Sequence, residues 1–129
     1  MATTSAYDPL APAARPGGRP DTKPKYRVLV HKRFKNHYDR LVDMVGLQQA
    51  QQFWDHVSAS PGAKCAVAPT CQLKGKAGKP QGAGWSRTVH YEVSSAARID
   101  YQFNDNYSTS KDGDRHPVVA ILTISYSSH

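Results

Sequence analysis

The chain has 129 residues, which is enough for one domain with a modest hydrophobic core. Its 17 lysines and arginines outnumber 10 acidic residues, and the net charge of +7 favours RNA, DNA or an acidic protein as partner, although it could merely keep the protein soluble. No apolar run approaches the roughly 20 residues that span a bilayer, and no signal-peptide pattern opens the chain. We therefore expect a cytoplasmic protein with no membrane association.

Residues 1–24 are rich in proline and glycine and show no apolar periodicity. Such a composition buries too little surface to offset chain entropy, so it predicts a disordered leader in front of a folded domain at 25–129. The cations of this leader could add weak, salt-sensitive attraction to nucleic acid. A passive extension fits the composition equally well.

The N-terminal half of the predicted domain combines one strand with two helices. Alternating apolar residues indicate a strand at 26–31. Apolar residues at spacings of three and four then predict a helix over about 34–45, and Gly46 is a good stop. A second stripe predicts a helix over 47–58 that ends before Ser60-Pro61-Gly62. Two amphipathic helices with a short connection predict a helical hairpin that covers an apolar surface.

The C-terminal half is composed of strands. Residues 71–75 are predicted to form a short strand, and residues 85–107 contain two alternating segments joined at 94–97. The nearly continuous apolar run at 118–124 is typical of a strand buried on both faces. Helices followed by strands predict an α+β fold, with the helical hairpin on one face of a small, mainly antiparallel sheet.

The opposite face of this sheet is predicted to be polar and basic. It would carry His90, Arg98, Gln102 and Asn104, which suits either a solvated surface or a platform for a polyanion. Between residues 64 and 98, Glu92 is the only acid. The cations of that stretch are Lys64, Lys74, Lys76, Lys79, Arg87 and Arg98.

The two cysteines, Cys65 and Cys71, lie six residues apart with no nearby cysteine or histidine to complete a zinc site. The spacing therefore predicts no metal site. A disulfide is geometrically possible, but two partly buried thiols agree better with a reducing compartment.

The order of the predicted elements and three short segments resemble the RelE/ParE superfamily of bacterial toxins, most closely the RelE- and YoeB-like mRNA interferases. The segments are Leu73-Lys74-Gly75, Trp85-Ser86-Arg87-Thr88-Val89 and Arg98-Ile99-Asp100-Tyr101, and residues 118–129 correspond to the family's last strand and catalytic C-terminal tail. The resemblance covers residues 25–129 and implies the element order β-α-α-β-β-β-β. It also implies a toxin of a type II toxin–antitoxin pair, with mRNA in the ribosomal A site and an acidic antitoxin as partners.

The resemblance implies that the protein is an endoribonuclease that needs neither metal nor cofactor. Arg98 corresponds to the arginine that contacts the scissile phosphate, and Lys74 and Arg87 correspond to cations that bind the RNA backbone; Lys76 belongs to the same basic stretch. Tyr126 and His129 fall where family members place terminal acid/base residues.

One departure from the family concerns the base. YoeB-like members carry a glutamate shortly before the Leu-Lys pair, where this chain has Cys71 and Gln72. His129 or His90 would have to take the glutamate's place, because histidine exchanges protons near neutral pH.

Two other functions remain open at this point. A ParE-like toxin would bind a protein target such as gyrase without cleaving anything, and the same fold serves both activities. A non-catalytic RNA-binding domain would use the basic patch alone, with binding that falls steeply with salt.

Overall fold

The computed structural model describes residues 10–18, 24–62, 70–72, 78–80, 84–94, 97–107 and 116–126. In these residues a 3₁₀ helix at Lys32–Phe34 accompanies three α-helices and six strands. The helices are α1 (Lys35–Asp39), α2 (Leu41–Val45) and α3 (Leu47–Ala59). The strands are β1 (Leu10–Pro12), β2 (Arg27–His31), β3 (Thr70–Gln72), β4 (Val89–Ser94), β5 (Ala97–Tyr107) and β6 (His116–Tyr126).

The strands of the described chain form one sheet in the order β1-β2-β6-β5-β4-β3. Strands β2 and β6 are parallel, and every other neighbouring pair is antiparallel. The prediction of an α+β fold with a mainly antiparallel sheet is therefore confirmed. Neither strand of the parallel pair is an edge strand, and both are covered by apolar contacts, as parallel strands require.

Helix α3 supplies the core that lies against the sheet. Its Ala50, Phe53 and Val57 are fully buried at spacings of three and four, as the sequence predicts. The ring of Phe53 meets Tyr91 of β4 edge-on at 5.0 Å and Tyr101 of β5 at 6.2 Å between centroids. Three aromatic side chains from three elements thus fix the helix on this face of the sheet.

The first predicted helix is interrupted. The single helix expected over 34–45 is divided at Arg40 into α1 and α2, because the Arg40 N–H bonds the His37 carbonyl in a 3₁₀-type turn. Gly46 ends α2 as predicted, with a φ of 92° that favours glycine.

Residues 10–18 correct the prediction that the whole stretch 1–24 is disordered. Leu10–Pro12 pairs with β2 as an edge strand, and the Ala13 N–H extends the pairing to the Val28 carbonyl at 3.0 Å. Residues 1–9 and 19–23 lie outside the described part of the chain. We call residues 10–18 the N-terminal arm.

Side chains of the helices hold the N-terminal arm by its carbonyl groups. Trp54 Nε1 donates to the Ala13 carbonyl at 2.9 Å, and Gln51 Nε2 donates to the Pro16 carbonyl, also at 2.9 Å. The Tyr38 hydroxyl donates to the Ala14 carbonyl in the same way. Proline lacks an N–H but keeps its carbonyl, so a proline-rich segment can still be fastened by donors from elsewhere.

Strand β6 is buried on both faces, as its apolar run predicts. Val119 and Ile121 join the core under the helices, whereas Val118 and Ala120 join a second apolar cluster with Leu10 and Leu29 on the other face. No helix in the described ranges is long and apolar enough to cross a membrane.

Candidate active site on the open face of the sheet

The face of the sheet opposite the helices, hereafter the open face, carries two adjacent rows of polar residues. His90 of β4 lies opposite Asp100 of β5, and Asp100 lies opposite Thr123 of β6. In the next row, Glu92 lies opposite Arg98, which lies opposite Ser125. Residues two apart on a strand share a face, so both rows are on the same surface.

His90 and Asp100 form the closest polar contact of this surface. The imidazole Nδ1 lies 2.6 Å from Asp100 Oδ1, and the Thr123 hydroxyl donates to Asp100 Oδ2 at 3.1 Å. The side chains of His90 and Asp100 are 25% and 28% exposed, so the contact is half-buried yet reachable from solvent. Both oxygens of the carboxylate are engaged, which fixes its orientation toward the imidazole.

Two irregularities in strand pairing create this contact. The pairing of β4 with β5 shifts by one residue between Ser94 and Glu92. If the register of the Ser94–Ala97 pair continued without this shift, Tyr101 would lie opposite His90 instead of Asp100. The second shift is in the pairing of β5 with β6, between Asp100 and Tyr101. If the register of the Tyr101–Ile121 pair continued without this shift, an apolar residue would take the place of Thr123 opposite Asp100. Bulges of this kind occur often beside active sites, because they redirect side chains.

Arg98 lies in the neighbouring row of the open face, where its side chain is 43% exposed. Its Nε is 3.8 Å from Glu92 Oε1, a long and solvent-exposed ion pair of the kind that contributes about 0–1 kcal/mol. Arg98 and Asp100 are two residues apart on β5, which places their backbones about 7 Å apart along the strand. A guanidinium held so loosely can turn toward an incoming anion.

Tyr126 is placed on the other face of the sheet. Its hydroxyl donates to the His37 carbonyl, and its ring stacks on the imidazole of His37 with 6.1 Å between centroids. Burial raises the pKa of Tyr126 to about 12. The structure therefore does not bring Tyr126 together with His90 and Arg98, because the shifted register of β6 directs it toward the helices.

The remaining sequence candidates contribute less to this surface. Arg87 is half-buried in the segment that precedes β4. Lys74, Lys76 and His129 lie outside the described residues, as does Cys65.

The amides expected on the open face are covered. Gln102 is 1% exposed, and its Nε2 donates to the Lys79 carbonyl at 2.8 Å and to Thr88 Oγ1 at 3.0 Å. Asn104 is likewise buried, beside Gly84. Segments 78–80 and 84–88 thus cover one end of the open face, and the polar rows around His90 and Arg98 remain accessible at the other.

Asp100 and Thr123 are the residues that sequence reasoning missed. Asp100 stands in the alternating pattern of β5, on the same side as Arg98, but a pattern does not reveal which residue lies across the hairpin. Within the described residues, no group of three or more histidine, cysteine or carboxylate side chains could hold a metal ion.

Comparison with known proteins identifies no relative. No protein-family model matches the chain, and no curated protein or solved structure matches it either. The resemblance to the RelE/ParE toxins therefore rests on features of the sequence.

Proposed function

We propose that this protein is the toxin of a type II toxin–antitoxin pair and acts as a ribosome-dependent, metal-independent mRNA endoribonuclease of the RelE kind. The observation that carries the proposal is the shared surface of Arg98 and His90 on the open face of a basic protein. A permanent cation can stabilise the charge that develops in RNA cleavage, and an imidazole can transfer one of its protons. The sequence resemblance adds the ribosome as the place of action.

The chemistry assigns a role to each of these groups. Cleavage within an RNA chain begins when a base removes the proton of the 2′-hydroxyl, and charge then accumulates on the phosphorane. An imidazole near neutral pH contributes typically about 10²–10⁴-fold to such a proton transfer. A guanidinium is always charged and binds two phosphate oxygens at once, so Arg98 is suited to stabilise the phosphorane.

An antitoxin would have to cover Arg98 in the cytoplasm. The net charge of +7 and the exposed guanidinium of Arg98 favour an acidic partner that covers the open face. Such a partner would compete directly with RNA for the same cation.

Primer extension on an mRNA that is being translated in a reconstituted system tests the proposal. The comparison needs the wild type, Arg98→Ala and a control, Arg33→Ala, which removes an exposed arginine from the 3₁₀ helix after β2. We expect new 3′ ends at codon-spaced positions with the wild type and the control, and none with Arg98→Ala.

A wild-type protein that leaves the translated message intact would refute the nuclease function. Cleavage by Arg98→Ala at the wild-type rate would retain the activity but remove Arg98 from it. In the first case a gyrase supercoiling assay follows, because a ParE-like toxin would act there without cutting RNA.

A further inference from the structure

We infer that Asp100 is a positioning residue that holds His90 with its proton on Nδ1, so that His90 Nε2 is the base that accepts the 2′-hydroxyl proton of RNA. This inference rests on the proposed nuclease function and deepens it. It identifies the group that takes the place of the glutamate expected by resemblance but missing here, where Cys71 and Gln72 stand.

The first step of the argument is that the contact is oriented. A carboxylate accepts hydrogen bonds and cannot donate them, so the imidazole nitrogen 2.6 Å from Asp100 must carry a hydrogen. That nitrogen is Nδ1. In the neutral imidazole the other nitrogen, Nε2, then carries a lone pair and can accept a proton.

The second step is that the carboxylate is held by something other than the histidine. Thr123 Oγ1 donates to Asp100 Oδ2 at 3.1 Å from the far strand, β6. Asp100 is therefore fixed between β4 and β6, and it needs both register shifts to lie there. An ordinary surface ion pair needs neither a third side chain nor a register shift, and the His90–Asp100 contact has both.

The third step concerns what lies within reach of Nε2. Arg98 is on the same face, about 7 Å from Asp100 along β5 by the rise of a strand. Its long and exposed side chain can reach a phosphate whose ribose hydroxyl meets His90. One phosphodiester group can thus contact both side chains.

The reaction then balances as follows. His90 Nε2 takes the proton of the 2′-hydroxyl, O2′ forms a bond to phosphorus, and the bond from phosphorus to O5′ breaks. The O5′ leaving group takes a proton from water, and the imidazolium later returns its proton to solvent. The products are a 2′,3′-cyclic phosphate and a free 5′-hydroxyl, so the substrate must carry a ribose 2′-hydroxyl at the cleaved position.

Asp100→Asn is the informative substitution, because it keeps the shape of the side chain and can place an amide donor where a carboxylate oxygen accepts from His90 Nδ1. An asparagine whose amide nitrogen faces His90 donates to Nδ1 and moves the imidazole hydrogen to Nε2; this arrangement in serine proteases lowers kcat about 10⁴-fold. An asparagine whose oxygen faces His90 would instead donate to the Thr123 hydroxyl and leave the hydrogen on Nδ1, and the tautomer measurement distinguishes the two. Thr123→Val removes the supporting hydroxyl and should lower the rate less. Asp43→Asn, on an exposed position of α2, matches the change in net charge elsewhere on the surface.

Two measurements are required on these proteins. The ¹⁵N resonances of His90, assigned by their absence in His90→Gln, report which nitrogen carries the hydrogen and need no substrate. Single-turnover cleavage of a ribosome-bound message gives the rate constant. We expect Nδ1–H in the wild type and Nε2–H in Asp100→Asn, with a rate loss of about 10² or more in that variant. RNA affinity should change little, and Asp43→Asn should cleave like the wild type.

Each alternative result is decisive. Nε2–H in the wild type, or wild-type cleavage by an Asp100→Asn protein whose His90 carries Nε2–H, overturns the inference while the nuclease function stands. A wild type that cleaves no message overturns the nuclease function and the role of His90 with it, even if Nδ1–H is found. Cleavage of a message with 2′-deoxyribose at the cut site would exclude the 2′-hydroxyl as nucleophile and overturn the inference as well.

Discussion

The bond between Trp54 and the N-terminal arm provides a quantitative test of the fold. Trp54→Phe removes the indole N–H that donates to the Ala13 carbonyl, and Ala13 is buried, so the carbonyl is left without this donor. An unsatisfied buried polar group costs about 1–3 kcal/mol. Loss of the larger ring's apolar contacts adds about 1 kcal/mol. The free energy of unfolding should therefore fall by about 2–4 kcal/mol.

Urea denaturation of four proteins measures this effect: the wild type, Trp54→Phe, a chain that lacks residues 1–18, and the combination of both changes. The deletion removes the Ala13 carbonyl, so in the shortened chain Trp54→Phe loses only the apolar contacts of the larger ring. Its effect on the free energy of unfolding should therefore be about 1–3 kcal/mol smaller there. Phe53→Leu is the control, since Phe53 packs on Tyr91 and Tyr101 and should cost the same in both backgrounds. An equal cost of Trp54→Phe in both chain lengths would refute the attachment of the arm to α3.

Two further predictions concern charges and protons. Glu92→Gln removes the carboxylate beside Arg98 and should tighten RNA binding by about twofold; the effect is small because the ion pair is exposed and weak. Fluorescence anisotropy measures the RNA affinity, and an unchanged or lower affinity would contradict this role of Glu92. Burial raises the pKa of Tyr126 to about 12, above the value near 10 of a tyrosine in the unfolded chain. The stability that the neutral Tyr126 contributes is therefore complete below about pH 10 and is lost as pH rises toward about 12. Urea midpoints at about pH 9 and about pH 11 should therefore differ less for Tyr126→Phe than for the wild type, and equal differences would show that Tyr126 does not carry this effect.

The residues of the candidate active site could be predicted from the sequence only in part. Arg98 and His90 are visible as polar positions in two alternating strands, and alternation alone assigns them to one face. Their partners are not visible, because Asp100 meets His90 only through a shift in the pairing of β4 and β5. Tyr126 shows the converse, since a residue near the chain end was expected at the site and is directed toward the helices.

The N-terminal arm was predicted to be disordered for a related reason. The argument from composition considers what a segment can bury by itself, and a segment rich in proline and glycine buries little. The arm is instead held by donors of Trp54 and Gln51, which are 41 and 35 residues distant in sequence. No local pattern contains such a contact.

Elements whose signal is local can be read from the sequence. Helix α3 follows from an apolar stripe at spacings of three and four, and the burial of β6 follows from its unbroken apolar run, because both depend on residues that are neighbours along the chain. The pairing register of β4, β5 and β6 and the place of the N-terminal arm depend on contacts between distant parts of the folded chain. A one-residue shift changes which side chains meet across two strands yet leaves the periodicity of each strand intact, so the His90–Asp100 contact exists only in the folded sheet.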